Sequence, residues 1–526
     1  MRALKITIFR LHPGATLVWR TPFYRLMNKA LFFNPRSAVA KHRFPNSLLA
    51  VAASINDRFD WALVDGNCES DPYSALANYL RTGEYKYIGI TVMPGPQTKQ
   101  AIPFAKRIKE EFPDTIMIWG GYFPVNHYKV VLQSGYVDFI INGPGDHAFP
   151  ALLEALEYNK PFELIKNLIY KSGDNIIKNS KEDLFEQDNL APLPYDKISN
   201  FYRADKFYLG KTFLGNRTMA YHSSIGCPFT CSFCAVVPIY EARWKAKSAQ
   251  SVYNDIKYVK EKWGADAVEF HDNNFFVSEK RSVEFARLIK PEKMNWWGMA
   301  RIDTMDKFSD ESLEQISEAG CKMIFFGAES GDDRILKQLD KGGTQTGEQI
   351  LRFAERMKKF DIIPEYSFVL GTPAPTPEQV MAQIEFDISF IKKVKSANPK
   401  TEIVLYTYSP VPAEGSELFN QVKDAGFTYP QQLEDWCSPQ WEQFDLRKNP
   451  LTPWLKPEMI ERIRDFETVL NGYYPTASDI RLNRVKRKLM KTVAGIRYKM
   501  NFYKFPYEIK FLQRVWKYRQ PEIQGF

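Results

Sequence analysis

Two hydrophobic patterns alternate along the first 157 residues. Short continuous apolar runs, typical of strands buried on both faces, alternate with stretches whose apolar residues recur at helical spacing. The predicted strands are Leu4–Phe9, Trp61–Val64, Tyr87–Val92, Thr115–Trp119 and Val137–Ile141. The predicted helices are Asn46–Ile55, Ser74–Leu80, Thr98–Phe112, Asn126–Ser134 and His147–Leu156. Five such units predict an α/β domain over residues 1–157, with a doubly wound, Rossmann-like parallel sheet.

The same alternation returns between residues 216 and 430. The predicted strands are Thr218–Ser223, Ala267–His271, Trp296–Ile302, Lys322–Phe326, Tyr366–Leu370 and Glu402–Tyr406. Six βα units predict a second parallel sheet, curved as a partial TIM-type (βα)6 barrel. Residues 158–215 are predicted to be a connector with a hairpin over Asn167–Asn179. Residues 431–526 are predicted to form a mainly helical C-terminal region.

Glycine-containing turns mark the expected carboxyl ends of the first five strands, where ligands of parallel sheets bind. These turns are Pro13-Gly14, Asp65-Gly66, Pro94-Gly95, Gly120-Gly121 and Gly143-Pro144-Gly145. Glycine allows the backbone to approach a large ligand closely. Each turn taken alone is explained equally well as a tight turn without a ligand. Five of them at one edge of a sheet predict a ligand site.

Charge is distributed unevenly along the chain. The formal net charge is +9. The last 46 residues contain thirteen Lys and Arg against two Asp and Glu, which leaves −2 on the other 480 residues. The body of the protein therefore lacks the basic charge of a nucleic-acid-binding surface. Neither an apolar run of about 18 residues nor a signal-peptide cleavage pattern is found, so a cytoplasmic protein is expected.

Three of the six cysteines fall within eight residues, directly after the first predicted barrel strand. Cys227, Cys231 and Cys234 have the spacing C-x3-C-x2-C. Three thiolates on one loop can hold three irons of a [4Fe-4S] cluster and leave the fourth iron open to a small molecule. Structural zinc with His222 as fourth ligand is one alternative, although zinc usually takes two separated cysteine pairs. Chance clustering is the other, and Cys68, Cys321 and Cys437 are expected to be ordinary buried thiols.

The cysteine motif, with the aromatic Phe233 before its third cysteine, resembles that of the radical S-adenosylmethionine superfamily. Segments at the ends of the other predicted barrel strands resemble the same family: Asp272-Asn273-Asn274-Phe275, Met299-Ala300-Arg301, Gly327-Ala328-Glu329-Ser330-Gly331, Leu370-Gly371-Thr372-Pro373 and Ser409-Pro410-Val411-Pro412. The resemblance implies that the three cysteines bind a [4Fe-4S] cluster. It also implies S-adenosylmethionine contacts from Phe233, Asp272, Arg301, Glu329 and Ser330. For Arg301 a salt bridge within the barrel is the alternative.

The N-terminal domain resembles the cobalamin-binding domain that precedes the barrel in one subgroup of that superfamily. The matching segments are Phe44-Pro45-Asn46-Ser47-Leu48, Leu63-Val64-Asp65, Gly120-Gly121 and Gly143-Pro144-Gly145-Asp146. The implied cobalamin-binding residues are Pro13, Gly14, Asp65, Thr91, Met93, Gly120, Gly121, Tyr122, Gly143 and Gly145. Pro144 and Asp146 replace two glutamates of the usual Gly-Glu-Gly-Glu turn, and Asp146 is still able to cap the following helix.

An Asp-x-His-x-x-Gly segment, which supplies an axial histidine to cobalt in other cobalamin proteins, is absent from the sequence. We therefore expect no cobalt ligand from such a motif. Four loop histidines are expected to be hydrogen-bonded residues at the surface or at helix ends: His12, His42, His127 and His147.

The resemblance implies a radical mechanism. The cluster reduces S-adenosylmethionine to a 5′-deoxyadenosyl radical, the radical abstracts hydrogen from carbon, and methylcobalamin delivers a methyl group. The expected activity is therefore C-methylation of an unactivated carbon in a small or lipid-like substrate, with electrons from an external flavodoxin-type or ferredoxin-type donor. A rearrangement, cyclisation or oxidation with the same cofactors is the main alternative. A methylthiotransferase is disfavoured because the N-terminal domain has only Cys68, and a non-enzymatic cluster protein is a further alternative.

The basic C-terminal segment has its own amphipathic pattern. Val485, Leu489, Val493, Ile496 and Met500 recur at helical spacing among lysines and arginines, and seven aromatic residues follow. Three interpretations stay open: a helix that packs this apolar stripe on the barrel, peripheral contact with the inner face of a membrane, and single-stranded nucleic-acid binding by stacking. Because the body is not basic, we expect no nucleic-acid partner.

Overall fold

The computed structural model describes residues 28–37, 43–340, 344–410, 417–441, 451–476 and 482–516. The predicted strand Leu4–Phe9 lies outside these residues, as do Pro13, Gly14, His12 and His42. The other predicted site residues are described.

The N-terminal sheet has seven strands in the order β2-β1-β3-β4-β5-β6-β7. They are β1 (Lys29–Asn34), β2 (Trp61–Asp65), β3 (Tyr85–Thr91), β4 (Ile116–Gly120), β5 (Phe139–Ile141), β6 (Leu168–Ser172) and β7 (Asn175–Lys178). The first five run parallel. β1 was not predicted from the sequence, although its four-residue apolar run is as long as that of the predicted strand Trp61–Val64. The hairpin of β6 and β7 pairs antiparallel with β5, so the sheet continues beyond the predicted boundary at residue 157.

Helices cover both faces of this sheet, which confirms the doubly wound fold. α1 and α6 pack on one face and α2 and α3 on the other. The helices of the domain are α1 (Asn46–Ile55), α2 (Pro72–Leu80), α3 (Thr98–Glu111), α4 (Tyr122–Asn126), α5 (Tyr128–Gln133) and α6 (Gly145–Tyr158). Two short helices follow in the connector, α7 (Tyr195–Ile198) and α8 (Ala204–Phe207).

The second sheet has six parallel strands in the order β15-β14-β13-β12-β11-β8, and all six correspond to predicted strands. They are β8 (Thr218–Tyr221), β11 (Ala267–Phe270), β12 (Asn295–Ala300), β13 (Cys321–Glu329), β14 (Ile363–Leu370) and β15 (Glu402–Thr407). A separate two-stranded sheet pairs β9 (Ser224–Gly226) with β10 (Trp244–Ala246). Since β8 and β15 do not pair with each other in the described residues, the sheet forms the expected partial barrel.

Amphipathic helices enclose the outer face of the barrel. They are α9 (Val237–Tyr240), α10 (Ala249–Trp263), α11 (Glu279–Ile289), α12 (Ile302–Met305), α13 (Asp310–Glu318), α14 (Asp333–Gln338), α15 (Gly347–Arg356), α16 (Pro377–Ala397) and α17 (Glu417–Asp424). Except for α9, whose Ile239 packs with the N-terminal domain, their apolar faces are buried against the strands in one continuous core. A smaller apolar cluster around Trp297 and Met323 fills part of the barrel interior.

Three further helices form the predicted helical C-terminal region: α18 (Pro457–Tyr473), α19 (Arg484–Lys499) and α20 (Tyr507–Trp516). α18 packs on α16 and β15, and both α19 and α20 pack on α18. The predicted apolar stripe of α19 is mostly not packed on the protein: Val485, Leu489, Ile496 and Met500 are exposed, and Val493 alone of the five is half-buried against the core. Met490, Ala494 and Tyr498 face inward instead, because the small Gly472 of α18 admits that side of the helix closely. None of the described helices is long and apolar enough to cross a membrane.

Candidate cofactor and active site

The cysteine loop is held rigidly between the small β9-β10 sheet and α14. Gly226 has φ 74°, and a side chain on its α carbon would collide with the carbonyl oxygen of Arg243. The turn into the motif therefore requires glycine. Further along, the Ser232 N–H donates to the Leu339 carbonyl at 3.1 Å, and the Thr230 hydroxyl donates to Asp340 at 2.9 Å. The loop is therefore anchored at both ends.

A cation lies directly against the cysteine motif. The Arg301 guanidinium donates from Nη1 to Cys231 Sγ at 3.2 Å and stacks on Phe229, 3.9 Å from its ring centroid. The same guanidinium makes two hydrogen bonds to Asp303, at 2.9 and 2.7 Å. The structure thus contains the salt bridge that was the alternative for Arg301, and it adds a contact to a cysteine sulfur. A nearby cation favours the thiolate form that ligates iron.

The three cysteines suit an iron–sulfur cluster better than a single ion. Cys231 is buried, and Cys227 and Cys234 are half-buried. Within the described ranges, no three His, Cys, Asp or Glu side chains converge as the ligands of one metal ion would. Cysteines that each bind a different iron do not need to converge on one point. The arrangement therefore gives no support to the zinc alternative with His222.

The predicted S-adenosylmethionine contacts Glu329 and Ser330 lie at the end of β13, beside a break in its pairing with β14. Glu329 is buried with φ 66°, which is uncommon for a residue other than glycine. The Ser330 hydroxyl and the Gly331 N–H both donate to Asp387 of α16, each at 2.8 Å. Burial raises the pKa of Asp387 to about 7. The backbone strain at Glu329 is of a kind that is typical of functional sites.

Asp272 binds the residues that precede the cysteine loop. Its buried carboxylate accepts hydrogen bonds from the Ser223 N–H at 3.0 Å, from the Ser223 hydroxyl at 2.8 Å and from the Ser224 hydroxyl. These residues directly precede the motif, so the structure shows Asp272 positioning the loop. The neighbouring Asn274 is buried, and its side-chain amide has no hydrogen-bond partner among the described residues. Phe233, the remaining predicted contact, is half-buried against the barrel core.

The predicted cobalamin contacts after β3 and β4 lie together at one edge of the N-terminal sheet. The Val92 N–H donates to the Gly120 carbonyl at 2.9 Å, which joins the two turns. Gly121 has φ 95°, and a β carbon there would approach the Val92 carbonyl oxygen at 2.9 Å. By contrast, the space beside the α carbon of Gly120 is open. Thr91, Met93 and Tyr122 flank this opening in the chain, and Met93 is exposed.

The turn after β5 carries a second sign of a ligand site. Asn142 is fully buried, yet neither polar atom of its side chain has a hydrogen-bond partner in the described part of the chain. Gly143, which follows it, has φ 142°, and Gly145 packs its α carbon against Val51. An orphaned amide and an open glycine cradle at adjacent strand ends suit a large polar ligand such as cobalamin.

Asp65 differs from the other predicted cobalamin contacts. Its carboxylate is buried and accepts hydrogen bonds from Asn34 at 3.1 Å, Asn67 at 2.9 Å and Tyr208 at 2.9 Å. Burial raises the pKa of this carboxyl group. In the structure, Asp65 ties the ends of β1 and β2 to the connector, which is a positioning role.

The two sheets meet at their carboxyl ends. The Tyr122 hydroxyl, at the start of α4, donates to Asn273 Oδ1 beyond β11 at 2.8 Å. The Asn46 side chain, at the start of α1, donates to the Ala220 carbonyl of β8 at 3.0 Å. Burial raises the pKa of Tyr122, and the cysteines Cys227 and Cys234 are close enough to add to that effect. The turn after β4 and the cysteine loop therefore lie at one contact region between the two sheets, which we call the interdomain space.

His127 and His147 lie at helix ends, as predicted. His127 packs on Trp436 with ring centroids 4.2 Å apart, and burial lowers its pKa to about 3. His147 contacts Glu182 at 2.9 Å.

The sequence interpretation missed a polar group at the ends of β8 and β11. His271 contacts Glu269 at 3.3 Å, Glu269 pairs with Arg43 at 3.3 Å, and His222 lies 6.1 Å from the His271 ring. Both histidines lie at the carboxyl ends of predicted strands, Thr218–Ser223 and Ala267–His271, and that position was an available signal.

Two protein-family models match the two sheets. The radical SAM superfamily model matches residues 221–390, and the B12 binding domain model matches residues 39–153. Together they span more than half of the chain. The chain belongs to the cobalamin-binding radical S-adenosylmethionine superfamily. The cofactors of this superfamily member are a [4Fe-4S] cluster, S-adenosylmethionine and cobalamin, and the orphaned amides, glycine cradle and cysteine loop described above suit all three.

Relatives and solved structures share this architecture. An uncharacterized methyltransferase of Pyrococcus horikoshii is 26% identical over 347 residues, covering 65% of this chain and 72% of its own. The anaerobic magnesium-protoporphyrin IX monomethyl ester cyclase of Cereibacter sphaeroides is 24% identical, covering 79% and 63%. The structure of the radical S-adenosylmethionine methyltransferase TsrM of Kitasatospora setae, with tryptophan and a S-adenosylmethionine analogue, superimposes with a TM-score of 0.62 at 15% identity, covering 93% and 99%. This radical SAM protein therefore has the TsrM fold across both domains.

Proposed function

We propose that this protein transfers a methyl group to an unactivated carbon of a small or lipid-like substrate. The observation that supports this proposal is the Tyr122–Asn273 hydrogen bond. It joins the predicted cobalamin edge of one sheet to the predicted S-adenosylmethionine edge of the other. Carbon methylation by these cofactors needs the substrate to reach both of them, and one interdomain space between the two edges provides that arrangement.

The chain's own residues would bind and orient the reactants. When bound, the cluster with S-adenosylmethionine supplies hydrogen-atom abstraction, and cobalamin supplies methyl transfer. Cys227, Cys231 and Cys234 would hold the cluster, with Arg301 stabilising negative charge on the sulfurs. Phe233, Glu329 and Ser330 would hold S-adenosylmethionine. The glycine turns and Asn142 would hold cobalamin.

Two comparisons support methyl transfer, and one favours a second candidate. The Pyrococcus relative and TsrM are both named methyltransferases. The Cereibacter relative is named a cyclase, so ring formation with the same cofactors and no net methyl transfer is the second candidate.

The test is anaerobic turnover with S-adenosylmethionine labelled in its methyl group, a flavodoxin-type reductant and added cobalamin. The wild-type protein should bind iron and cobalamin, and methyl label should be recovered with the protein-bound cobalamin. Cys231→Ala should lose iron and cleavage of S-adenosylmethionine to 5′-deoxyadenosine. Cys437→Ala, a half-buried cysteine far along the chain from the motif, is the matched control and should retain both.

Cleavage of S-adenosylmethionine without transfer of label would contradict the methylation proposal and favour the cyclase candidate. A reconstituted protein that binds no cobalamin would contradict both.

A further inference from the structure

Helix α19 has two apolar faces, and only one of them is used inside the protein. Met490, Ala494 and Tyr498 are buried against α18. Most of the predicted stripe points away from it: Val485 is 77% exposed, Ile496 63% and Met500 72%, whereas Val493 is half-buried against the core. Leu489 on the same stripe is also exposed. Large apolar side chains in a row on one helix face, unlike scattered ones, indicate an interaction surface.

Helix α20 repeats the arrangement. Ile509 is buried against Gly472 of α18, whereas Tyr507, Phe511 and Val515, spaced by four residues, are exposed. α19 and α20 contact each other through the Arg497–Glu508 ion pair and through Lys486, which lies 5.8 Å from the Trp516 ring. Because both helices pack on α18 and contact each other, their exposed stripes lie on neighbouring helices. We call these exposed residues the outer face: Val485, Leu489, Ile496, Met500, Tyr507, Phe511 and Val515.

The outer face lies in a strongly basic setting. Residues 482–516 contain ten Lys and Arg and a single acidic residue, Glu508, which is already paired with Arg497. Three lysines lie next to stripe residues along α19: Lys486, Lys488 and Lys499. Long basic side chains beside an apolar stripe can reach up to headgroups while the stripe enters the acyl boundary.

We propose that the outer face docks the protein on a bilayer surface that contains anionic lipids. Docking would bury the exposed stripe, and it would match the segment's positive charge to the anionic headgroups. A second copy on this face would bring two strongly positive segments together, which Coulomb repulsion opposes. Only two of the seven outer-face residues, Tyr507 and Phe511, are aromatic, so the face as a whole suits acyl chains better than stacked bases. The helices are too short to span a bilayer, so they would lie in its plane.

The test is sedimentation of the full-length protein with phosphatidylcholine vesicles that contain about a third phosphatidylglycerol. We expect binding to these vesicles, weak binding to pure phosphatidylcholine, and loss of binding at high salt. The double variant Ile496→Glu, Phe511→Glu should bind about ten-fold less, because it places two carboxylates in the docking surface. Leu164→Glu, which changes a residue 85% exposed in the N-terminal domain, should bind like the wild type.

Iron and cobalamin content should be unchanged in both proteins, which shows that they are folded. Absence of wild-type binding to the anionic vesicles would overturn the proposal, as would equal binding by the double variant. Light scattering that shows a wild-type dimer dissociated by the double variant would assign the face to a second copy instead. Binding of an oligonucleotide but not of vesicles would assign it to nucleic acid. None of these measurements depends on catalytic turnover, so the proposed function is tested separately.

Discussion

Gly226 determines how the chain enters the cysteine motif. Its φ of 74° is strained for any other residue, and its α carbon lies against the Arg243 backbone, which cannot move without breaking the β9-β10 pairing. We predict that Gly226→Ala costs at least about 1–3 kcal/mol locally. The thiols would be displaced, and iron content after reconstitution should fall several-fold.

Gly173→Ala is the matched control for this prediction. Gly173 also has a positive φ, 59°, in the β6-β7 hairpin, but a β carbon at this position would have no neighbouring atom within 4 Å. The substitution therefore introduces the conformational strain without the collision. It should lower the melting temperature slightly and leave iron content unchanged. Equal iron loss in the two variants would mean that displacement of the cysteine loop is not the cause of the loss.

Among the helices and strands, α16 holds the end of β13 in place through one carboxyl group. Asp387 accepts from Ser330 and Gly331, and burial raises its pKa to about 7. In the unfolded chain the group ionises near its ordinary value. At pH values between the unfolded and the folded pKa, the Asp387 carboxyl is protonated in the folded protein and ionised in the unfolded chain. Its contribution to the free energy of unfolding therefore falls as pH rises towards 7.

Asp387→Asn should remove that dependence, because an amide does not ionise and still accepts the Gly331 hydrogen bond. Between about pH 5 and pH 8, the wild type should lose on the order of 2–4 kcal/mol more unfolding free energy than the variant. Urea denaturation at several pH values measures this difference. Asp114→Asn, an exposed turn residue, should keep the wild-type dependence, and a wild-type slope in Asp387→Asn would contradict the assignment.

Element by element, the sequence predicted the barrel better than the first strand of the N-terminal sheet. Buried parallel strands are continuous apolar runs, and all six barrel strands have that pattern. β1 has a four-residue apolar run as long as that of the predicted strand Trp61–Val64, so it was recognisable in the sequence and was missed. The cysteine spacing likewise identified the loop that we propose holds the cluster. Asp387 could have been found, because it interrupts the apolar face of α16 between Ile384 and Ile391.

Other parts of the site depend on contacts between distant segments, which periodicity does not show. The orphaned Asn142 and Asn274 are recognisable only once their surroundings are known. The exposure of the α19 stripe is a similar case. Helical spacing identified one apolar stripe on that helix, but a different set, Met490, Ala494 and Tyr498, faces inward, where Gly472 of another helix leaves room.

Across the molecule, two separate surfaces hold the N-terminal domain to the rest of the chain. Tyr122 and Asn46 bond to the barrel at the interdomain space. On another side, Trp436 of the C-terminal region packs on Phe123 with ring centroids 5.1 Å apart. The second contact is apolar and independent of the first. Loss of the Tyr122 hydrogen bond should therefore disturb alignment of the two domains without separating them.

Tyr122→Phe removes the hydroxyl and keeps the packed ring. We predict a stability loss of only about 1 kcal/mol, with iron and cobalamin content unchanged. Methyl transfer should slow by about ten-fold, because small misplacements of groups held on two domains cost rate steeply. Cleavage of S-adenosylmethionine, which needs only the barrel, should stay near the wild-type rate. Tyr128→Phe, on the neighbouring α5 and without a part in this contact, is the control. If both activities fell together in Tyr122→Phe, the hydroxyl would be supporting the cysteine loop and not the alignment of the two domains.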